Sequence, residues 1–257
     1  MSNPALPRLV FLVHGGLKQN LVTAPTEITF LSWNLAMLER SAEAPVSWEQ
    51  YNTEEAIRQQ VLSIAPDIVL FQELPGIVPF IETHDMVKAN PQSHSGHLAT
   101  LVSHELMNGP IEYLAIPGCG LLTTFKSFGL TVANIHLSPG KGETKTRRDQ
   151  LSAIIGGCPN EHLAIIGDTN TRNSEIKKIR DAGLLAPTLP KPTWDSFRNR
   201  FHLGSPRFRA NFTRCFTHPS IQVTNLKVID SSVMQESKTF YLSDHFALYG
   251  TLVIPKS

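Results

Sequence analysis

Short apolar runs bounded by turn-forming residues alternate along this chain with stretches of helical periodicity, the pattern of interleaved strands and helices. "ITFLSWNL", from Ile28, predicts a strand. "NTEEAIRQQVLSI" sets Ala56, Ile57, Val61, Leu62 and Ile64 at helical spacing, with Asn52 and Thr53 as candidate caps and Pro66 as the stop. "DIVLFQEL" is a second buried strand. "GLLTTF" and "LTVANIHL" predict two strands across a turn at Lys126 to Gly129; a helix over Glu143 to Ile155 and the strand "HLAIIGD" follow. Ser174 or Asn173 would cap the helix in "SEIKKIRDAG", with Gly183 as its terminating glycine. Beyond an irregular segment, Leu184 to Ala210, come three more strand-like runs, "NFTRCFTH", "QVTNLKVI" and "HFALYGTLVI".

Two segments resist this reading. Pro75 to Gly120 is loop-rich, with weak strand signals only around Leu98 to Val102. Residues 1–26 are rich in Pro, Asn and Gly around the apolar patch Leu9 to Val13, and read as an extension without assigned function ahead of a single domain over 27–257. Several adjacent strands are joined by turns too short for a parallel crossover. The expected fold is therefore an α/β (α+β) sandwich of mixed, mostly antiparallel sheets with helices outside.

Composition narrows the chemistry. The hydrophobic content is 41% and the formal charge +1, so there is no global basic field for nucleic acid and any anion site must be local. Cys119, Cys158 and Cys215 are widely spaced and form no Cys-x-x-Cys pair, which argues against a disulfide framework or a zinc cage and for a reducing compartment. "RLVFLV" is too short for a signal sequence, and no stretch approaches the roughly 18 apolar residues of a membrane helix. The expectation is an intracellular chain, cytoplasmic or nuclear, monomeric and without a membrane partner.

Polar groups recur at one structural address. Asn34, Glu73, His136 and Asp168 each stand at or near the end of an apolar run; Asn170 follows just after, and Asp244 and His245 precede the last strand. Ligands of open sheets bind beyond strand ends, so these side chains could converge within one domain. Each also has a bland explanation: "GDTN" suits an Asx-type turn, Glu73 a solvated strand end, and His136 a structural histidine. Asn173 and Ser174 can cap the next helix, which leaves Asp168 and Asn170 without an obvious local task.

In order, "SWN" (Ser32 to Asn34), "QE" (Gln72, Glu73), "NIHL" (Asn134 to Leu137), "GDTN" (Gly167 to Asn170) and "SDH" (Ser243 to His245) resemble the motifs of the endonuclease/exonuclease/phosphatase superfamily, over nearly the whole chain from Ile28 to Ile254. Within it, "NIHLSPGKGETKTRRDQL", "GDTNTRNSEI" and "PTWD" are similar to the 5′-tyrosyl-DNA phosphodiesterases. The resemblance implies a DNase I-like four-layer sandwich. It also implies Mg²⁺-dependent phosphodiester hydrolysis at nucleic-acid ends, with removal of 5′-tyrosyl adducts from single-stranded DNA ends. Mn²⁺ is a possible substitute.

On that resemblance Glu73 is the metal ligand, with Asn34 beside the ion and Asp244 near it or supporting the histidine. Asp168 would orient or deprotonate the attacking water, Asn170 would donate to a phosphate oxygen, and His136 and His245 would hold the remaining oxygens. Arg172 suits a bidentate phosphate contact; Ser138 and Arg214 are further candidate substrate contacts. Lys191, Arg198, Arg200, Arg207, Arg209 and Arg214, against the single acid Asp195, are interleaved with Trp194, Phe197, Phe201, Phe208 and Phe212. Such a mixture suits a nucleic-acid strand, and Trp194 and Phe212 would wall a narrow groove. The competing assignment puts the phenylalanines in the core and the arginines on a solvated loop.

The pattern breaks at "FTRCFT", where Thr213 stands in place of the Asp that usually fixes the tautomer of the "SDH" histidine. Only Tyr113 offers itself as an aromatic phosphate contact in the loop-rich segment. Two alternatives therefore stand beside the adduct hydrolase. One is an apurinic or general endonuclease, or a phosphatase for small-molecule or lipid phosphates; the other is a binding module that has lost turnover.

Overall fold

The structure is a computed structural model that describes residues 27–76, 78–89, 96–159 and 162–255. The extension over 1–26, with its apolar patch Leu9 to Val13, lies outside the described residues. In chain order the elements are β1 (Glu27–Asn34), α1 (Gln50–Ile64), β2 (Ile68–Leu74), β3 (His84–Ala89), β4 (His97–Ser103) and β5 (Ile111–Ile116). Then come β6 (Gly120–Phe125), β7 (Leu130–His136), α2 (Thr144–Gly157), β8 (His162–Asp168) and α3 (Ile176–Asp181). The two-residue strands β9 (Trp194–Asp195) and β10 (Arg209–Ala210) pair with each other. They precede β11 (Thr213–Thr217), β12 (Gln222–Ile229), β13 (Ser232–Gln235), β14 (Lys238–Tyr241) and β15 (Ala247–Val253).

Two sheets carry the architecture, one ordered β12-β15-β1-β2-β4-β3 and the other β11-β8-β7-β6-β5. Only β1 with β2 and β7 with β8 run parallel; the remaining neighbours in both sheets are antiparallel. The alternation of side chains along a strand sorts the core into three layers. Ile28 and Phe30 of β1 meet Val132 of β7 and Ala164 and Ile166 of β8 between the sheets. Leu31 and Trp33 of β1 face outward, in one cluster with Ile57 and Val61 of α1. Leu163 and Ile165 of β8 face the other way, with Leu151 and Ile154 of α2 and Ile179 of α3. The result is the expected four layers, helix, sheet, sheet and helix.

The strand signal around Leu98 to Val102 corresponds to β4, but the loop-rich reading of the rest of Pro75 to Gly120 is corrected: β3 and β5 lie there. β3 and β5 each lie at one edge of their sheet, and their polar residues (His84 and Asp85, Glu112 and Tyr113) break the apolar runs that mark buried strands. The β13–β14 hairpin also escapes the pattern, because Glu236 and Ser237 rather than glycine take the positive φ of its turn. Asn52 and Thr53 do not cap α1, which begins at Gln50. Asn52 Oδ1 instead accepts the Glu49 N–H at 2.9 Å, and the Thr53 hydroxyl accepts from Trp48 Nε1 at 2.8 Å. Nor do Asn173 and Ser174 cap: they form a short 3₁₀ turn, Asn173–Glu175, ahead of α3.

One polar knot joins the two sheets through their apolar interior. Asn134 of β7 donates to Phe71 O at 3.1 Å and Ala99 O at 2.9 Å, and its own oxygen accepts from Gln72 Nε2 at 2.8 Å. Gln72 also donates to Leu70 O at 2.8 Å, and both side chains are fully buried. Replacing Asn134 by Ala leaves two carbonyls and an amide without this partner, and is expected to cost about 3 kcal/mol. Urea denaturation of Asn134→Ala measures it; a loss under about 0.5 kcal/mol, the scale of a surface change, would refute the structural role.

Candidate active site

The two parallel pairs bring the C-terminal ends of β1, β2, β7 and β8 to one edge of the sandwich. The turn before β15 reaches the same edge, where Ser243 Oγ donates to Asn34 O at 2.6 Å. Asn34 is buried; its Nδ2 donates to Asp168 Oδ2 at 3.0 Å across the sheets, and its Oδ1 accepts the Ala36 N–H. Asp168 sits at the centre. His136 Nε2 lies 3.7 Å and His245 Nε2 3.6 Å from Asp168 Oδ2, while Asp168 Oδ1 accepts the Asn170 N–H at 3.0 Å. "GDTN" is thus both an Asx-type turn and the middle of a cluster, and Asp168 has the local task that the sequence left open.

Gly167 is required by close approach. Its φ is +148°, and a Cβ there would fall 2.2 Å from Ile135 O of the neighbouring strand. Glu73 and Asn170 hold positive φ without being glycine, at 51° and 48°, conformations that cost on the order of 1 kcal/mol and gather where a side chain must be aimed. At Glu73 a register shift in the β2–β4 pairing turns the carboxylate toward the cleft, with Oε1 3.4 Å from His136 Nε2. Burial pushes the Glu73 carboxyl above its ordinary value, against the pull of His136, Asn34 and His245.

Glu73, His136 and Asp168 each offer one ligand atom, all within 4.8 Å of one another. A desolvated carboxylate beside a second carboxylate and an imidazole is a donor set that fits a divalent cation. The oxygens suit Mg²⁺, and the added nitrogen suits Mn²⁺ as well. Asn34 lies beside this trio through Asp168, but its Oδ1 is engaged by Ala36. Asp244 is outside this trio, with its carboxylate 3.2 Å from His202 Nε2 and 4.0 Å from His245 Nε2.

His245 is oriented by Thr213, whose Oγ1 lies 3.4 Å from Nδ1, and by ring contacts. The edge of Trp194 meets it at 4.9 Å, Phe208 stacks on Trp194 at 5.7 Å, and Phe212 stands 6.2 Å from the imidazole. The Arg172 guanidinium lies 4.6 Å over Phe212. Trp194 and Phe212, the two rings singled out in the sequence, are thus brought together beside His245. Of the other rings, Phe201 is core while Phe197 and Phe208 are exposed.

Several candidates land elsewhere. Arg214, 8% exposed, lies behind the 170–175 loop, donating from Nη2 to Asn173 Oδ1 at 2.8 Å, and burial pushes its pKa down to about 10. Strand alternation turns it away from Thr213 and so from the cleft. Ser138 is engaged through its backbone, its N–H donating to Gln150 Oε1 and its carbonyl accepting from Arg147. Tyr113 sits mid-strand on the far edge of its sheet, its hydroxyl pushed by burial up to about 12. The basic segment is more neutral than its sequence: Arg209 pairs with Asp195 at 2.9 Å, Arg198 with Asp230 at 2.7 Å and Arg200 with Glu43 at 3.6 Å. Sequence reading missed His202, a histidine in an irregular stretch with no periodicity to mark it.

No protein-family model and no curated protein matches the chain. Solved structures do match. Over 88% of this chain and 75% of the other, it superimposes on TDP2 from C. elegans with a TM-score of 0.67 at 21% identity. D. rerio TDP2, complexed with single strand DNA product, gives 0.69 at 18% identity over 89% and 99%. An endonuclease/exonuclease/phosphatase from Bacteroides vulgatus gives 0.63 at 15% identity over 90% and 100%. The fold is that of the endonuclease/exonuclease/phosphatase proteins. The expected DNase I-like architecture, with its likeness to TDP2, is present at the level of the fold.

The hydrogen bond to Asp244 holds His202 above its ordinary value against the opposing effect of burial. A raised histidine stabilises the fold fully below the unfolded value of about 6.5, and that contribution is lost as pH rises through the folded value. Thermal midpoints measured in chelator are therefore expected to decline over this window in the wild type and to lack that component in His202→Ala. Superimposable pH profiles would show that the pair does not stabilise.

Proposed function

We propose that this chain is a divalent-cation-dependent phosphodiesterase acting at nucleic-acid ends, and that it removes 5′-tyrosyl adducts from DNA. The observation that carries this reading is the placement of Asp168 between two imidazoles and beside an aromatic wall topped by Arg172. A phosphate seated there would meet donors from several sides, while the strand end or its adduct rests on the rings.

Glu73 would hold the cation with His136 beside it, and the cation would supply positive charge to a phosphate oxygen, leaving Asp168 for the water. Asp168 orients the attacking water and takes its proton, being fixed by Asn34 on one oxygen and the Asn170 amide on the other. Asn170 keeps one amide hydrogen on Leu137 O at 3.1 Å and turns the other to the phosphate. His245 donates from Nε2 to a further oxygen; the Thr213 hydroxyl orients the ring but brings no charge to stabilise an imidazolium. Arg172 grips the phosphate from the wall side.

Pairing of Arg198, Arg200 and Arg209 with acids favours a second reading. A cleft without a continuous cationic track would suit a phosphatase for soluble phosphates.

Both readings are separated by incubating the protein, with Mg²⁺, Mn²⁺ or chelator, on a 5′-phosphotyrosyl oligonucleotide, an abasic duplex and inositol phosphates. Cleavage of the adduct alone is expected, abolished by chelator and reduced about 100- to 1000-fold in Asp168→Ala, the usual scale for losing one such group. Cleavage that survives in Asp168→Ala would refute the site. A second variant reads the departure at "FTRCFT": Thr213→Asp restores a charged partner for His245 and is expected to raise kcat by about tenfold. An unchanged or lower kcat in a folded variant would show that the hydroxyl suffices.

A further inference from the structure

Arg147 lies on α2, outside the cluster of the cleft, yet it is completely buried. Its guanidinium is saturated. Nε and Nη2 fork onto Glu175 at 3.1 and 2.8 Å, Nη1 donates to Ser138 O at 2.8 Å and Gly140 O at 2.7 Å, and Nη2 also reaches Thr144 Oγ1 at 3.4 Å. One side chain thus joins the loop after β7 to the loop after β8. Glu175 Oε1 accepts the backbone N–H of Arg172 at 2.9 Å. Burial opposes ionisation of Glu175, but the Arg147 fork and the Arg172 amide outweigh it, and its carboxyl lies below the ordinary value.

The Arg172 side chain has less to hold it. Its Nε is buried without a hydrogen-bond partner among the described residues, and its guanidinium rests on the Phe212 ring. Its position over the ring therefore depends on where its main chain is fixed. A buried ion pair is a poor device for stability, since apolar residues of similar volume commonly do as well, but it is a specific one. Four directed hydrogen bonds, two to each loop, define one arrangement of the pair.

We propose that Arg147 and Glu175 are positioning residues that act through Arg172, holding its backbone so that the free guanidinium hydrogens face a substrate phosphate. The proposal rests on the phosphate-binding role given to Arg172 above. It assigns to a buried pair, away from the reacting atoms, control over substrate binding rather than over the chemical step.

A double-mutant cycle with Glu175→Gln and Arg172→Ala in the full chain tests it, on the substrate that the wild type cleaves, with thermal midpoints recorded for each variant. Glu175→Gln is expected to raise KM about tenfold with kcat nearly unchanged, and to cause no further rise in the Arg172→Ala background. Arg147→Lys, which keeps the charge but loses the fork, is expected to shift KM in the same direction and serves if Glu175→Gln does not fold. Equal losses in both backgrounds, or an unchanged KM in folded variants, would overturn the proposal. If the wild type cleaves none of the substrates, the same cycle is read from binding of a 5′-phosphorylated oligonucleotide. Coupling there supports the positioning role while the hydrolase reading fails, and additive losses or no binding by the wild type overturn it.

Discussion

The cleft depends on the hydrogen-bonded knot between Gln72 and Asn134. Apolar faces of two sheets can slide over one another at little cost, because hydrophobic contact is not directional. A buried amide that must find two carbonyls and an amide hydrogen has one satisfactory position. Asn134 takes its partners from β2 and β4 in the opposite sheet, so it fixes the height of β7 against them. Gln72 stands immediately before Glu73, and Asn134 lies two residues before His136. The knot therefore sets the register of the very strand ends that carry the cluster.

Above the knot, each group is held by a different segment of chain. Asn34 crosses from one sheet to Asp168 in the other, Ser243 ties the turn before β15 to β1, and Thr213 presents a hydroxyl to His245 from β11. The buried pair Arg147 and Glu175 does for the two outer loops what the knot does for the sheets. Specificity of arrangement comes from these polar contacts, while the three apolar layers supply the stabilisation.

Much of this was legible in the sequence. Buried strands announce themselves as apolar runs, and Asn34, Glu73, His136 and Asp168 mark the ends of four of them. What stayed illegible has physical causes. The edge strands β3 and β5 are half-exposed and carry polar residues, so their pattern does not alternate cleanly. Asn52, Asn173 and Ser174 have the chemistry of caps, but Asn52 stands one turn inside α1 and takes the Glu49 N–H, while Asn173 accepts from the distant Arg214 within a 3₁₀ turn. Arg214 and the acids Glu43 and Asp230 show the same limit: charge counted along a segment says nothing of which side of a strand it faces or which distant carboxylate meets it. His202 had no sequence signal, because its neighbour Asp244 is distant in the chain.

Gly167 carries a consequence of its own. Its backbone turns the position of a Cβ onto Ile135 O of the paired strand, so only a hydrogen fits there, and His136 and Asp168 are the next residues along. The register that sets His136 opposite Asp168 thus passes through a position where no side chain fits. A single added methyl would pry the two rungs apart. It would leave the full complement of functional groups intact and change only the gauge at which they are mounted, so an inventory of those groups would miss the damage.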